Sequence, residues 1–371
     1  MSQFDLNSAV ADMRSIALSA LPRMYRPDQR LFAFRLRRRR GMDVLEGISR
    51  RYTAIVLIGL AGESETLGRE ILHGNSREEI CGGLLDAASR AEDPGEVALT
   101  LWAARVLGHP RASVALERLR SMRPDDGPIP TVELAWSLAA LAMPGSAADD
   151  EALTRRIADR LMASFREVSG LFPHYPEGAC PSRFRAHVCC YADLAYPIQA
   201  LSAFYLATGD ERAIDMARRC ATRMCELQGS DGQWWWHYDV RTGQVLERFP
   251  VYAVHQDGMG PMALLALERA GGDDHTDSIK RGVRWLYEPP ELDGSLIDRE
   301  AQVIWRKVAR REPRKLARRL QAAVSSVHSS LRAPGVELLF PPRSVDYETR
   351  PYHMGWILHA FAGDRSSWVD A

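Results

Sequence analysis

The sequence lacks the features that mark several large classes of protein. No uncharged apolar run reaches the length of about 18 residues that a transmembrane helix needs. The first 22 residues contain Asp5 and Asp12, and they lack both the basic start and the continuous apolar run of a secretory signal. These absences predict a cytoplasmic protein.

The cysteines also lack a recognisable pattern. The sequence contains no C-x-x-C pair, which is the usual spacing in structural zinc sites. A site completed by His187 or His237 is the alternative, but free thiols in a reducing compartment fit the spacing better. We expect no metal ligands among the six, which are Cys81, Cys180, Cys189, Cys190, Cys220 and Cys225.

A net charge is missing as well, because 48 basic residues balance 48 acidic ones. No overall field attracts nucleic acid, so none is expected as a partner. Two basic stretches stand out, RLRRRR at 35–40 and the segment 306–319, where eight basic residues accompany Glu312. A solvated helix face is the simplest interpretation. The alternatives are peripheral contact of 306–319 with an anionic membrane, and binding of a diphosphate by arginines.

What the sequence does contain is a repeated pair of helices joined by short breaks rich in Gly, Pro and Asp. The first helix of each pair is almost wholly apolar and the second is amphipathic, which is typical of an inner helix followed by an outer one. Breaks lie at His109-Pro110, Thr208-Gly209-Asp210 and Gly271-Gly272-Asp273. A last apolar helix is expected within 352–363.

This alternation predicts an all-α fold, an α/α toroid in which an outer ring of helices covers an inner ring. An open solenoid of helix pairs is the structural alternative. Long aromatic loops of unequal length favour the closed ring, since solenoid repeats are near-constant in length. We expect one domain over residues 1–371, with 1–40 peripheral to it, and a small β-hairpin or extended aromatic loop near 233–254.

One motif resembles that of a known superfamily. The stretch Gln228-Gly-Ser-Asp-Gly-Gln-Trp234 has the Q-x-x-x-G-x-W form of the QW motif, and so resembles the terpenoid cyclase and protein prenyltransferase superfamily. The resemblance covers this motif and the helix pairs over most of the chain. It implies the α/α toroid, with the motif as a structural joint between an outer helix and the next inner one. Fold alone does not fix the reaction.

The catalytic motifs of that superfamily are missing or altered. No D-x-D-D is present, and Asp239-Val-Arg-Thr is its nearest approach. Asp273-Asp274-His-Thr-Asp277 has the spelling of D-D-x-x-D but lies in a helix-start turn. The D-x-C that binds zinc in prenyltransferases does not occur. We therefore predict no cofactor, with Mg²⁺ the alternative if the substrate is a diphosphate.

The residues that follow the motif form an aromatic candidate site. If 233–239 pairs with 245–254 as a hairpin, alternate aromatic side chains share one face and would wall a pocket. Sealing one end of the toroid is the alternative role. The substrate-binding candidates in this stretch are Trp234, Trp235, Trp236, His237, Tyr238 and Tyr252.

The catalytic candidates come next. His255 and Asp257 directly precede an apolar helix, where N-capping is the simplest role for Asp257. Alternatively, an acid kept neutral by apolar walls protonates an alkene or a glycosidic oxygen, while the neighbouring His orients it or acts as a base. Asp193 and Asp239 compete with Asp257 for that role.

Two further loops precede apolar helices and predict a shared rim. One contributes His174 and Tyr191 as substrate-binding candidates, and the other contributes Tyr347 and His353. Convergence of polar, aromatic loops on one mouth favours an enzyme over a non-catalytic binding toroid.

Two chemistries fit such a mouth. The first is cyclisation or transfer of an isoprenoid, started by acid or by loss of diphosphate, between aromatic walls that stabilise carbocations. The second is action on a carbohydrate as a glycoside hydrolase, a lyase or an epimerase, with aromatic rings that stack on sugars. The basic stretches have a role only in the first, so the isoprenoid is our leading expectation and the sugar its alternative.

Overall fold

The computed structural model describes residues 4–143, 151–176, 185–310 and 341–363. Within them no helix is both long and apolar enough to cross a membrane. The helices are α1 (Leu6–Met24), α2 (Arg50–Leu60), α3 (Glu65–Ile71), α4 (Arg77–Ala88), α5 (Pro94–Val106), α6 (Ala112–Met122), α7 (Thr131–Leu141), α8 (Glu151–Ala163), α9 (Ala192–Thr208), α10 (Glu211–Glu226), α11 (Gly260–Arg269), α12 (Thr276–Tyr287) and α13 (Pro351–Ala360), with a 3₁₀ turn at Pro27–Gln29 and a π-turn at His255–Met259.

Six helices form a closed inner ring: α2, α5, α7, α9, α11 and α13. Each packs against the next, and α13 packs against α2 to close the circle. Around them, α1, α4, α6, α8, α10 and α12 form an outer ring, each in contact with an inner helix. The α/α toroid predicted from the sequence is confirmed. An open solenoid is excluded, because its first and last repeats would not meet.

Composition explains which helices lie inside. Nearly every residue of α7 is buried whichever way it points, as expected for a helix that is apolar all round. In α10 the buried residues recur every three or four positions, from Ala213 through Ala217 to Met224, and the others face outwards. The sequence alternation therefore corresponds to alternation between the two rings.

The ring closes where two glycines allow its first and last inner helices to touch. A Cβ atom added to Gly59 of α2 would overlap the carbonyl oxygen of Gly355 in α13. A Cβ added to Gly355 would lie 2.8 Å from the carbonyl oxygen of Ile55. Neither position accepts a side chain without a backbone shift.

The N-terminal helix α1 is part of the outer ring. Asp5 caps it by accepting a hydrogen bond from the backbone N–H of Asn7 at 3.0 Å. Met13 and Leu21 on its inner face are fully buried, and Arg14 donates to the carbonyl oxygen of Phe361 at 2.9 Å. This helix packs against α13 as a ring element, whereas the sequence suggested a peripheral position for residues 1–40.

Short strands lie between the helices. They are β1 (Tyr25–Arg26), β2 (Leu31–Phe32), β3 (Arg35–Arg39), β4 (Met42–Glu46), β5 (Val188–Cys190), β6 (His237–Asp239), β7 (Gln244–Glu247), β8 (Val251–Tyr252), β9 (Ile297–Asp298), β10 (Val303–Ile304), β11 (Lys307–Ala309), β12 (Ser344–Asp346) and β13 (Glu348–Thr349). Three of their small sheets have the orders β5-β6-β7, β8-β11-β12 and β4-β3-β13.

The hairpin expected near 233–254 is partly correct. β6 and β7 pair antiparallel, with Asp239 opposite Gln244. β8, which we expected at the end of the same hairpin, pairs instead with β11, where Val251 lies opposite Val308. β5 occupies the other edge of β6. β6, at the end of the aromatic segment, is therefore the central strand of a three-stranded sheet.

Where the structure describes them, the two basic stretches are strand or irregular segments and not the solvated helix face that their charge suggested. Residues Arg35–Arg39 are strand β3, and Lys307–Ala309 are strand β11. The remainder of the second stretch, 311–319, lies outside the described residues. Period-two alternation of a strand places every second arginine on one face, which allows several guanidinium groups to reach one partner.

The QW-like motif joins three helices. Gln228, after α10, donates to the carbonyl oxygen of Ser278 at 2.9 Å and accepts from Arg281 at 2.8 Å, both on α12. Trp234 is fully buried, and its backbone N–H donates to the side chain of Gln256 at 3.0 Å in the π-turn before α11. The motif thus links an outer helix to the next inner one, as the resemblance implied, and also to the next outer one.

Candidate active site

A cavity of about 380 Å³ opens at the N-terminal ends of the inner helices. Much of its lining comes from the first two turns of α2, α7, α9 and α13 and from the π-turn before α11, and the rest comes from the loops and strands between helices. These ends converge because successive inner helices, each followed by an outer one, run in the same direction. Among the described residues the lining comprises Phe34, Ser49, Arg51, Tyr52, Ile55, Val132, Trp136, Ala192, Tyr196, Trp236, Tyr252, His255, Met259, Arg306 and Tyr352.

Aromatic side chains form most of the wall. Trp136 and Tyr196 meet edge to face, with 5.2 Å between ring centroids. Trp236 and Tyr252 do the same at 5.1 Å. Flat, rigid faces with polar edges suit a ring-shaped ligand that also forms hydrogen bonds.

His255 is held between two tyrosines at the cavity. Its ring stacks on Tyr191 at 4.4 Å between centroids, with 24° between the planes, and lies 5.2 Å from the ring of Tyr252. Burial lowers the pKa of His255 to about 3, although a backbone hydrogen bond with Trp234 opposes the shift. Its Nδ1 has no hydrogen-bond partner among the described residues. The imidazole is therefore neutral at pH 7, with a ring nitrogen not committed to the protein.

Asp257 does not cap a helix but pairs with a histidine. Both of its carboxylate oxygens lie within hydrogen-bond distance of Nε2 of His353, at 2.7 and 2.9 Å, and both side chains are buried. Burial raises the pKa of Asp257, and the imidazole of His353 opposes that rise. Neither residue lines the cavity. The pair joins the π-turn to α13 behind the wall that carries His255.

Two arginines bring positive charge to the cavity. Arg51, in the first turn of α2, bonds to Asp93 and, at 2.7 Å, to Glu133. Arg306 bonds to Glu348 at 2.9 Å, and its guanidinium group lies over the ring of Tyr252 at 5.1 Å. No Asp or Glu lines the cavity among the residues that the structure describes.

Asp239, a predicted catalytic residue, lies outside the cavity lining. Its carboxylate accepts hydrogen bonds from the backbone N–H of Arg241 at 2.9 Å and from the Arg241 guanidinium at 2.7 Å. Burial alone would raise the pKa of Asp239, but the hydrogen bonds and charge of Arg241 hold it below the ordinary value. In this position Asp239 stabilises the turn between β6 and β7.

Asp193 also lies behind the lining, although its neighbour Ala192 belongs to it. The carboxylate of Asp193 contacts Nδ1 of His174 at 3.0 Å and accepts from the backbone N–H of Cys190 at 2.7 Å. The hydrogen bond with Asp193 raises the pKa of His174, and burial opposes the rise.

The ligating atoms of His174, Cys190 and Asp193 all lie within 4.8 Å of one another, close enough to hold a metal ion. Such mixed nitrogen, sulfur and oxygen donors suit zinc better than Mg²⁺. The hydrogen bonds of Asp193 already account for the arrangement of the three. The five cysteines in the described part of the chain form no disulfide.

The aromatic candidates divide between cavity and core. Trp236 and Tyr252 line the cavity, and Tyr191 supports His255 from behind. Tyr347 is half exposed against Trp305, outside the lining. Four others are packed inside the protein and do not reach the cavity, namely Trp234, Trp235, His237 and Tyr238.

Several lining residues were missed from the sequence. Arg51, Tyr52 and Trp136 lie in the first two turns of apolar helices, close to the helix-start position that identified His255. That position was a usable signal, because every inner helix begins at the same mouth. For Arg306 no such signal exists, since it lies directly before a short strand and not at a helix start.

The fold and the cavity define a class, an α/α toroid with its candidate site at the mouth. No protein-family model and no curated protein matches the sequence. Among solved structures the chain is similar to an unsaturated glucuronyl hydrolase specific for heparin. Identity is 14%, the TM-score is 0.60, and the match covers 95% of this chain and 96% of that one.

Two epimerase structures are similar over the same length. A sugar epimerase from a ruminal bacterium matches with 11% identity and a TM-score of 0.62, covering 95% of this chain and 97% of that one. Cellobiose 2-epimerase from Bacillus thermoamylovorans matches with 10% identity and a TM-score of 0.62, covering 96% and 99%. Likeness at this identity concerns the fold, and it agrees with the α/α toroid.

Proposed function

We propose that this chain is a carbohydrate-active enzyme that moves a proton at a sugar carbon next to a carbonyl, as an epimerase or isomerase does. The observation that carries the proposal is His255, a buried neutral imidazole at a cavity where no described lining residue is a carboxylate. A neutral imidazole accepts a proton, and a carbonyl-activated C–H bond supplies one.

In the proposed step His255 takes the proton, and the C–H electron pair becomes the C=C bond of an enediolate. N–H groups of the Arg51 guanidinium stabilise the negative oxygen by donating hydrogen bonds to it. Return of a proton to the opposite face of the carbon inverts it, and a tyrosine hydroxyl suits this role. Burial raises the pKa of Tyr352, in the lining, to about 12, so its hydroxyl keeps a proton to donate.

Glycoside hydrolysis is the less favoured carbohydrate reaction. It requires an acid and a second carboxylate flanking the scissile bond, roughly 5 to 9.5 Å apart. Asp193, Asp239 and Asp257, the three carboxylates expected to compete for this role, are each engaged outside the lining. Proton transfer makes no demand on them.

The sugar alternative also displaces the isoprenoid as our leading interpretation. Similar structures named above act on sugars according to their descriptions, and none of those three handles an isoprenoid. The lining mixes aromatic faces with tyrosine hydroxyls and two arginines, which supports a ligand rich in hydroxyl groups.

Proton NMR in D₂O tests the proposal. Purified protein is incubated with reducing sugars, and loss of the C2–H signal is followed together with the appearance of the epimer. We expect solvent deuterium at C2 of at least one sugar. Cleavage of a glycosidic bond with no exchange at C2 would exclude the proposed step and establish hydrolysis instead.

A further inference from the structure

Four arginines converge on one buried glutamate beside the cavity. Glu348 of β13 is 1% exposed, and its oxygens accept hydrogen bonds from four guanidinium groups at 2.7 to 2.9 Å. The four arginines come from three segments distant in sequence: Arg35, Arg37, Arg306 and Arg350. Burial alone would raise the pKa of Glu348, but these neighbours hold it at about 2.

The charges of this cluster do not cancel. Arg35 and Arg39 also bond to Glu46, so in the described residues five guanidinium groups share two carboxylates. Lys307 pairs separately with Asp346 at 3.2 Å and leaves the balance unchanged. Partly buried, uncompensated positive charge is unfavourable unless an anion joins it.

Two arginines of the cluster, Arg306 and Arg350, lie at the cavity. Arg306 is a lining residue, and its Nε is buried without a hydrogen-bond partner among the described residues. Arg350 lies 4.5 Å from the ring centre of Phe34 and donates to the hydroxyl of Tyr52 at 2.8 Å. Phe34 and Tyr52 both line the cavity.

The other cavity arginine differs in this respect. Arg51 contacts two carboxylates, those of Asp93 and Glu133, so its charge is already balanced. The cavity therefore has one side with spare positive charge, around Arg306, and one side without.

We propose that the cavity binds an acidic sugar, whose carboxylate or phosphate group is held by Arg306 at the Glu348 cluster. That the ligand is a sugar rests on the proposed function, whereas its negative charge follows from the cluster itself. Arginine is the side chain best matched to either anion, because its fork donates two parallel hydrogen bonds.

An anion at this position also assists the proposed base. The positive charge of Arg306 is one of the causes that lower the pKa of His255, after burial. A ligand that neutralises Arg306 removes part of that effect. His255 then becomes a slightly stronger base when the acidic sugar is bound, since burial remains the main cause of its low pKa.

Three ligands that differ at one carbon test the inference: glucose, glucuronate and glucose 6-phosphate. Calorimetry gives the dissociation constant of each for the wild type. We expect glucuronate or glucose 6-phosphate to bind at least about tenfold more tightly than glucose. Whichever of glucuronate and glucose 6-phosphate binds more tightly shows whether the site prefers a carboxylate or a phosphate.

Variants assign the preference to its side chain. Arg306→Gln should abolish it, and Arg306→Lys should restore part of it. Arg299→Gln is the matched control and should retain it. Arg299, like Arg306, contacts one carboxylate, that of Asp12, and lies over a tyrosine ring, but it is outside the lining. Thermal unfolding of each variant shows whether it is folded. If Arg306→Gln does not fold, Arg306→Lys still tests the inference.

The outcomes separate the two proposals. Equal binding of the three ligands, binding of none, or a preference that survives in Arg306→Gln would overturn the acidic-sugar inference. Deuterium exchange on glucose alone would then leave the proposed function standing. Tight binding of an acidic ligand with no exchange at C2 of any sugar would support the anion site and contradict the proposed proton transfer.

Discussion

Among single residues, His255 illustrates how surroundings set chemistry. An exposed histidine is about half protonated near pH 6.5. Packed between Tyr191 and Tyr252, His255 loses the water that would stabilise its cation, and its pKa falls to about 3. The same residue type thus becomes a base whose charge state does not change across the physiological range.

Replacement of His255 tests this role directly. We expect His255→Asn to lower kcat/KM for proton exchange by about 10²- to 10⁴-fold, the usual contribution of a general base. His73→Asn is the control, because His73 is exposed and bonds to the carbonyl oxygen of Pro22, in the outer-ring helix α1. Comparable activity of the two variants would remove His255 from the mechanism.

The sequence indicated part of this site at the residue scale. His255 and Tyr252 were predicted because they adjoin the start of an apolar helix. The contact between Arg306 and Glu348 was not predicted. The two residues are 42 positions apart, and the strands at or beside these positions are too short to show a sequence pattern. Trp234 and Tyr238 were assigned to the pocket because periodicity does not show which face of a short strand meets the core.

At the scale of elements, the contact between α2 and α13 decides whether the ring closes. The backbones approach closely because Gly59 and Gly355 have no side chains. A methyl group at either position would force the helices apart, and overpacking of this kind costs about 1–3 kcal/mol.

We predict that Gly59→Ala lowers the free energy of unfolding by at least about 1 kcal/mol. Gly83→Ala is the matched control, because Gly83 lies in α4 with no atom within 4 Å of an added Cβ. That change should stabilise the protein by about 0.5–1 kcal/mol through helix propensity. Urea denaturation measures both. Equal effects of the two changes would contradict the close approach of α2 and α13.

Elements were the level at which the sequence was most informative. Apolar helices such as α7 and amphipathic ones such as α10 have different periodicities, and each type went to the expected ring. Strand partners were less predictable. β8 pairs with β11, which lies 55 residues further along the chain, so no local turn fixes the register.

For the whole molecule, the buried imidazole links stability to pH. The unfolded chain binds a proton at His255 near pH 6.5, and the folded chain does so only near pH 3. Protonation of His255 in the unfolded chain therefore costs no stability well above pH 6.5. As the pH falls below 6.5, it lowers the free energy of unfolding.

From pH 7 to pH 5 we expect His255 to reduce the free energy of unfolding by about 2 kcal/mol. Over the same interval the free energy of unfolding of His255→Asn should fall by about 2 kcal/mol less than that of the wild type. That of His73→Asn should fall as in the wild type. Urea denaturation at the two pH values gives the difference. Parallel pH profiles for the wild type and His255→Asn would show that the imidazole titrates normally.

Closure of the ring through Gly59 and Gly355 also has a consequence for synthesis. The first inner helix leaves the ribosome roughly 300 residues before the last one that must pack against it. Until α13 is made, the apolar face of α2 has no partner and the cavity lacks one of its walls. Nascent chains are thus exposed to aggregation for most of their synthesis, and the complete cavity exists only after α13 has been made.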